Sequence, residues 1–372
     1  MEKQKRSIVF YCGSLARGGT ERVIVNLAEH FHKIGYRVFI VTQFKAEAEY
    51  AISSDITRIL SDLTVEENGR NRVINFLNRL KKLRRIFKAL QPDMVFSCVG
   101  KNNFMALTAS TFLKTKVVVS VRAEPCVEYY TKLMRFLAKT MFIFADGIVL
   151  QTKQAGEFFP RPIRRKAVIL PNSLNPRFQR PRYEGEREKE IVAVGRLDEN
   201  KNHAMLIRAF GKIAKDFPDY RVVIYGDGTG HRDLEKMINK LNLSDKVVLA
   251  GRTDAVEEKI YKSSLFVLTS DAEGMPNALL EAMALGLPVI STDCPCGGPR
   301  ELIQDGVNGY LIPVRDEEAL YERLRYCLTH MSEMGEIGRR AAEIQKRLNP
   351  EKVNKKWEAY FNRVMSDKGK RC

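Results

Sequence analysis

No run in the 372 residues approaches the ~20 consecutive apolar positions that a helix needs to cross a bilayer. The most hydrophobic early run, Ile8 to Cys12, is far shorter than a signal-peptide core and ends in a glycine-rich turn. These two absences predict a chain that starts and stays in the cytoplasm. Cysteine is sparse: Cys12, Cys98, Cys126, Cys294, Cys296, Cys327 and Cys372 are scattered and odd in number, which suits reduced thiols. The close pair Cys294-Pro295-Cys296 has neither a second pair nor a His cluster beside it, so it reads as loop composition rather than zinc ligands. There is no repeat of solenoid period and no long Pro, Ser or Gln tract.

Acidic residues are scarce in one half only. Residues 1–180 carry 31 Lys and Arg against 14 Asp and Glu, whereas residues 181–372 carry 31 of each. The whole net charge of +17 therefore sits in the first half and predicts an anionic partner there. No helix-turn-helix, zinc finger or aromatic-interleaved RNP pattern accompanies it, which excludes nucleic acid as that partner. Within 71–90, Val73, Phe76, Leu77, Leu80, Leu83, Phe87 and Leu90 fall on one helical stripe. That stripe is expected to pack on a sheet as core. Arg79, Lys81, Lys82, Arg84, Arg85 and Lys88 occupy the remaining faces, and Arg161, Arg164, Arg165 and Lys166 add further charge. Such a surface suits an anionic membrane.

Short apolar runs alternate with helical periodicity along the chain. SIVFYC (7–12), YRVFIVT (36–42), DMVFSC, KVVVSV and DGIVLQT read as strands, with Val23, Ile24, Leu27 and Phe31 at helical spacing between the first two. The alternation lapses over 160–190, which holds five prolines and a charged tract, and restarts at EIVAVG. The fold class is thus α/β, with two Rossmann-like doubly wound domains facing a ligand cleft. The expected organisation is a domain over 1–170, a linker over 171–189 and a second domain over 190–350. A last helix, over 351–372, is expected to cross back to the first domain.

Three pieces point to a phosphorylated ligand. The turn Gly13 to Gly19 follows a strand and opens a helix, where backbone N–H groups can approach an anion. It lacks GxGxxG, and Gln43 stands where a nicotinamide-nucleotide site wants an acid. VGRLDENKN sets Arg196 just past a strand end with Lys201 five residues on, and two cations so placed can hold a diphosphate. SDAEGMPNALLEAMALGLPVI places Glu273 on a loop and Glu281 one turn into the following helix, with Pro276 near the first helical turn. Backbone N–H groups from Gly274 to Asn277 point the same way, and carboxylates accept hydrogen bonds from vicinal hydroxyls of a hexose or a ribose. Two acids on one loop and helix do not flank a bond as glycosidase acids do.

At these residues the chain resembles the GT-B glycosyltransferases called group 1, which include bacterial sucrose and glycogen synthase relatives. EGMPNALLE is similar to that family's E-x7-E signature and GRLDENK to its Arg…Lys diphosphate pair. The resemblance implies that Glu273 contacts the donor sugar, Glu281 the ribose, and Arg196 and Lys201 the diphosphate. It also implies donor-side roles for Gly18 and Gly19 in GGTER, for Gly226 and Gly228 in YGDGTG, and for Arg252, Gly274, Met275, Pro276 and Asn277. LPNSL resembles the family's interdomain Pro-Asn-Gly turn, with Ser173 in place of Gly and Asn172 as a candidate. Where many members have a sugar-binding His, this chain has Ser120-Val121-Arg122-Ala123-Glu124. Arg122 or Glu124 takes that place, as in the branch acting on lipid-linked amino-sugar oligosaccharides.

The function so implied is retaining transfer of a hexose or N-acetylhexosamine from a nucleotide-diphosphate sugar, with UDP expected. The acceptor would be a glycan or lipid-linked glycan of a cell-surface polysaccharide such as lipopolysaccharide, at the inner face of the membrane. No cofactor and no metal are expected: there is no DxD motif, and the two cations supply the charge a metal would. The alternative enzyme is a nucleotide-sugar 2-epimerase of similar architecture.

Overall fold

The structure, a computed structural model, describes residues 5–69 and 71–367. Its β-branched runs become strands, the central ones buried on both faces as in parallel sheets and the edge ones partly exposed. In the first sheet these are β1 (Ser7–Cys12), β2 (Arg37–Thr42), β3 (Thr57–Leu60), β4 (Met94–Cys98), β5 (Lys116–Ser120), β6 (Gly147–Leu150) and β7 (Ala167–Ile169). Their order is β3-β2-β1-β4-β5-β6-β7, with every pairing parallel. The second sheet holds β8 (Glu188–Val194), β9 (Arg221–Tyr225), β10 (Val247–Gly251), β11 (Ser263–Leu268), β12 (Val289–Thr292) and β13 (Tyr310–Ile312). Its order is β10-β9-β8-β11-β12-β13, again all parallel. Each sheet grows outward from its first strand and then reverses. The reversal lies between β1 and β4 in one and between β8 and β11 in the other, and there the loops leaving adjacent strands diverge.

The chain divides into two compact units. One runs to Pro171 and takes in the chain from Val353; the other is Asn172–Lys352. The segment 171–189, expected as a linker, is largely a packed part of the second unit. Leu174 and Phe178 are buried, the Leu174 N–H donates to the Leu348 carbonyl at 3.0 Å, and the Gln345 amide donates to the Arg180 carbonyl at 2.9 Å. Prolines stop regular structure there, but the apolar side chains between them still dock.

The last helix, Pro350–Ser366, closes the core of the first unit. Phe361 stacks on Phe31 at 4.9 Å between ring centroids, and Trp357 meets Phe96 edge-on at 5.5 Å. Asn362 accepts from Arg6 at 2.7 Å and from Tyr36 at 2.6 Å. The predicted stretch 368–372 lies outside the described residues. Among the described residues no helix is long and apolar enough to cross a membrane.

The helix Arg72–Leu90 departs from expectation. Of its apolar stripe only Leu83 and Phe87 are buried, while Val73, Phe76 and Leu77 are exposed together with Ile74. Helical spacing aligns these residues on one face, but only the carboxyl-terminal half of that face packs into the core of the first unit.

Trp357 is the sole tryptophan and fully buried, so it reports on the first unit alone. Trp357→Ala is expected to destabilise that unit by about 3–5 kcal/mol, measured by urea unfolding followed by circular dichroism. A loss below about 1 kcal/mol would show that this helix does not complete the core.

Candidate active site

Two loops meet at the reversal point of the second sheet: Gly195–Asn202 after β8 and Thr269–Pro276 after β11. Hydrogen bonds stitch them together. The Thr269 hydroxyl donates to the Lys201 carbonyl at 2.8 Å and the Asp271 N–H to the Asn200 carbonyl at 2.8 Å. The Asn200 amide donates to the Ala272 carbonyl at 3.0 Å. Asn202 adopts a left-handed φ of 47°, a conformation Asn tolerates better than most residues, and its amide reaches Asp271. Arg315 clamps the same carboxylate with Nε and Nη2 at 2.9 and 2.7 Å.

This stitching brings the Lys201 ammonium against the Glu273 carboxylate as an ion pair, both largely shielded from solvent. Arg196 is in the same loop but 76% exposed, with Nη2 3.0 Å from Asp198. Asp198 also accepts from the Lys201 backbone N–H at 3.0 Å, so one carboxylate positions both cations.

Glycines let neighbouring loops lie on this pair. Gly226 has φ 155°, and a Cβ there would stand 1.8 Å from the Gly195 carbonyl oxygen. A Cβ at Gly228 would come within 2.5 Å of the Leu197 oxygen. Gly298, which the sequence reading did not single out, presses its α-carbon on the Gly274 carbonyl, 1.5 Å from where a Cβ would be. Arg252 is exposed immediately past β10, and the Gly251 carbonyl before it accepts the Gly226 N–H at 2.8 Å.

Pro276 is the N-cap of the helix Asn277–Ala284, next to its first turn as expected. Glu281 lies one turn in and is buried, as is Met275. Asn172 belongs to this neighbourhood. Its buried amide donates to the Met275 carbonyl at 3.2 Å and to Asn277 Oδ1 at 2.7 Å, so it fixes the entry to the helix. Cys296, at φ 64°, donates its thiol to the Glu273 carbonyl at 3.1 Å.

In the first unit, Gly18 caps the helix Gly19–Lys33 after β1. The preceding turn is tied to Glu49, which accepts from the Leu15 N–H at 3.3 Å and pairs with Arg58. Arg58 holds the Glu49 carboxyl down to about 2. Past β5, Arg122 is buried and Glu124 caps the short helix Pro125–Glu128. The buried carboxylate here is Glu128, unforeseen from sequence. It accepts from the backbone N–H of Gly100 at 2.9 Å, of Arg122 at 3.0 Å and of Ala123 at 3.2 Å. Burial raises its pKa against the pull of those donors. Beside it, β-branched Val99 is held at φ 71°, a strained conformation of the kind that clusters at functional sites.

His203, at the start of the helix that follows Lys201, is buried, and desolvation with the nearby Lys201 ammonium lowers its pKa to about 4. The unfolded imidazole titrates near ~6.5, so the unfolded chain binds more protons between the two values. Stability from this group is complete above about pH 6.5 and is lost as pH falls towards 4. Denaturant midpoints at pH 7 and pH 5 should therefore drop for the parent chain and drop less for His203→Leu. An equal fall in both would exclude a buried neutral imidazole.

An ammonium and a carboxylate in contact, with a second cation and glycine-lined loops around them, suit a ligand in which a phosphate is bonded directly to a polyhydroxyl ring. Comparisons with known proteins agree. Residues 17–178 match the family model described as Glycosyltransferase Family 4, and residues 176–344 the one described as Glycosyl transferases group 1. A 256-residue stretch is 30% identical to an uncharacterized glycosyltransferase of Methanocaldococcus jannaschii, spanning 62% of this chain and 63% of that protein. Over 356 residues the chain is 26% identical to the GalNAc-alpha-(1->4)-GalNAc-alpha-(1->3)-diNAcBac-PP-undecaprenol alpha-1,4-N-acetyl-D-galactosaminyltransferase of Campylobacter jejuni, covering 94% of this chain and 96% of that one. The crystal structure of Anabaena HepE with UDP and glucose has the same fold, with a TM-score of 0.81 at 17% identity over 96% of this chain and all of that chain. Together the two models span residues 17–344, and the chain belongs to the group 1 glycosyltransferases of the GT-B fold.

Proposed function

We propose that the protein transfers a hexose or N-acetylhexosamine from a UDP-sugar to a lipid-linked glycan, with retention at the anomeric carbon, in the synthesis of a cell-surface polysaccharide such as lipopolysaccharide. The observation that carries this reading is the contact between Lys201 and Glu273. A sugar and its phosphate share one bond, so the groups that recognise them must be neighbours. Lys201 and Arg196 bind the diphosphate and neutralise it as it departs. Glu273 and the backbone from Gly274 to Asn277 hold the sugar hydroxyls, and Glu281 holds the ribose. Gly226, Gly228 and Arg252 border the nucleotide.

The acceptor hydroxyl attacks the anomeric carbon on the face that the phosphate leaves. The carbon–phosphate-oxygen bond breaks, the glycosidic bond forms, and the departing phosphate oxygen takes the acceptor proton. No enzyme nucleophile and no metal are needed, because the two cations carry the charge. The Campylobacter relative is named for an alpha linkage on a PP-undecaprenol glycan, and HepE holds UDP; both support the donor and acceptor classes. Gly18 and Gly19 keep their expected donor-side role, while Arg122 and Glu124 serve the acceptor and sugar from the first unit, whose positive charge suits a lipid diphosphate at the inner membrane face.

In a thermal-shift panel of UDP, GDP, ADP and their sugars, UDP compounds alone are expected to raise the melting point. No shift with any of them would overturn the donor reading. Lys201→Ala and Glu273→Ala should each lower kcat/KM by about 100-fold or more, Lys201→Ala weakening UDP itself and Glu273→Ala sparing UDP. A chelator should leave the rate unchanged, and the product anomer read by NMR should match the donor. Turnover without acceptor would favour a nucleotide-sugar epimerase instead.

A further inference from the structure

The first unit carries an outer layer of three helices with an unusual composition. Arg72–Leu90, Gly100–Ala109 and Lys132–Met141 lie side by side on one face of its sheet, the middle helix touching both of the others. Not one of the three contains Asp or Glu, although together they hold eleven Lys and Arg. The stretches 94–123 and 129–145 are likewise without acid. Asp146, which follows, is occupied by Lys116 at 3.1 Å and by the Val117 N–H at 2.8 Å.

Large apolar side chains stand out of this basic layer. Leu133 and Phe136 are 65% and 63% exposed on the outer side of the third helix, between Lys132, Arg135 and Lys139. The stripe continues past the helix end to Ile143 and Phe144, the latter 79% exposed. Phe112, in the neighbouring loop before β5, is 97% exposed. The Arg84 guanidinium ties that loop to the first helix through the Ala109 and Thr111 carbonyls at 2.9 and 2.6 Å. Beside Ile143 the exposed cations Arg161, Arg164, Arg165 and Lys166 gather, with Lys166 Nζ 2.6 Å from the Ile143 carbonyl. On the first helix, Val73 is 68% exposed and Ile74, Phe76 and Leu77 accompany it.

We infer that this helical layer is a docking face for an anionic lipid bilayer, with Leu133, Phe136, Ile143, Phe144 and Phe112 as its apolar anchors. The inference deepens the proposed use of a lipid-linked acceptor by naming the surface and residues that meet the membrane. Two properties choose a bilayer over a protein partner. The apolar side chains project from this helical layer with cations beside them, whereas protein hot spots cluster and fill pockets. Projecting apolar groups framed by Lys and Arg fit the boundary between anionic headgroups and acyl chains. An acidic protein would match the charge and leave the anchors in water.

The test is co-sedimentation of the full-length protein with vesicles of phosphatidylglycerol mixed with phosphatidylcholine, against vesicles of phosphatidylcholine alone. Neither contains an acceptor glycan, so binding is read without catalysis. The parent chain should bind the anionic vesicles and not the zwitterionic ones, and lose most of that binding as salt shortens the Debye length from ~10 Å at 0.1 M to ~3 Å at 1 M. Leu133→Ser with Phe136→Ser should lower the partition coefficient about tenfold or more. Its circular dichroism and its melting-point shift with UDP should not change. A matched pair in the second unit, Leu241→Ser with Val248→Ser, should bind like the parent.

Equal binding of both vesicle types, no binding to either, or equal loss in the matched pair would each overturn the inference. So would a concentration-dependent dimer that binds no vesicles and is broken by Leu133→Ser with Phe136→Ser, since the face would then belong to a second copy. A parent that binds anionic vesicles but shows no UDP shift would keep this inference and sink the donor reading.

Discussion

At the point where the second sheet reverses its strand order, two loops leave adjacent parallel strands in different directions, and their carboxyl ends would gape unless tied. The tie is a set of hydrogen bonds among Thr269, Lys201, Asp271, Asn200 and Ala272, completed by the Lys201–Glu273 ion pair. Everything else at the site is built around that closure. Gly226, Gly228 and Gly298 are glycine because the backbone of the tied loops occupies the space a Cβ would need. His203 stays neutral because it is buried beneath a cation already committed to Glu273. Asn172 secures the far end, pinning Met275 and Asn277 where the helix carrying Glu281 begins.

The first unit also ties neighbouring loops, but one strand away from its reversal point and with different chemistry. Its reversal point is bounded by β1 and β4, and the loops past β4 and β5 are joined by one buried carboxylate, Glu128, which takes three backbone N–H groups. Burying an acid is costly unless its lone pairs are met, and here the donors come from both loops at once. The strain at Val99 is sustained by that same junction. The aromatic core under this sheet is finished only by the last helix of the chain, so the two ends of the sequence fold as one unit.

Charge distinguishes the units. The second, Asn172–Lys352, is close to neutral, with 27 Lys and Arg against 29 Asp and Glu. The first carries the whole surplus, and spreads it over an acid-free helical layer from which apolar side chains project.

Much of this was legible before any coordinates. Alternating strand and helix patterns set two parallel doubly wound sheets, because period-two and period-3.6 spacing are properties of neighbouring residues. Arg196, Lys201, Glu273 and Glu281 could be picked out because each pair lies within one short segment at a strand end. The ion pair between Lys201 and Glu273 could not, since it joins residues 72 apart and exists only once β8 and β11 are neighbours. Glu128, Gly298 and the partners of Asn172 were hidden for the same reason. The helix 72–90 shows the limit most plainly: spacing told which residues share a face, while burial of that face depended on what lay against it. Sequence alone determined the local elements, their handed succession and the charge of each half, all written in short-range pattern. Tertiary structure decided which loops touch, which carboxylate is buried and which apolar stripe stays in solvent, because those outcomes depend on packing between segments far apart in the chain.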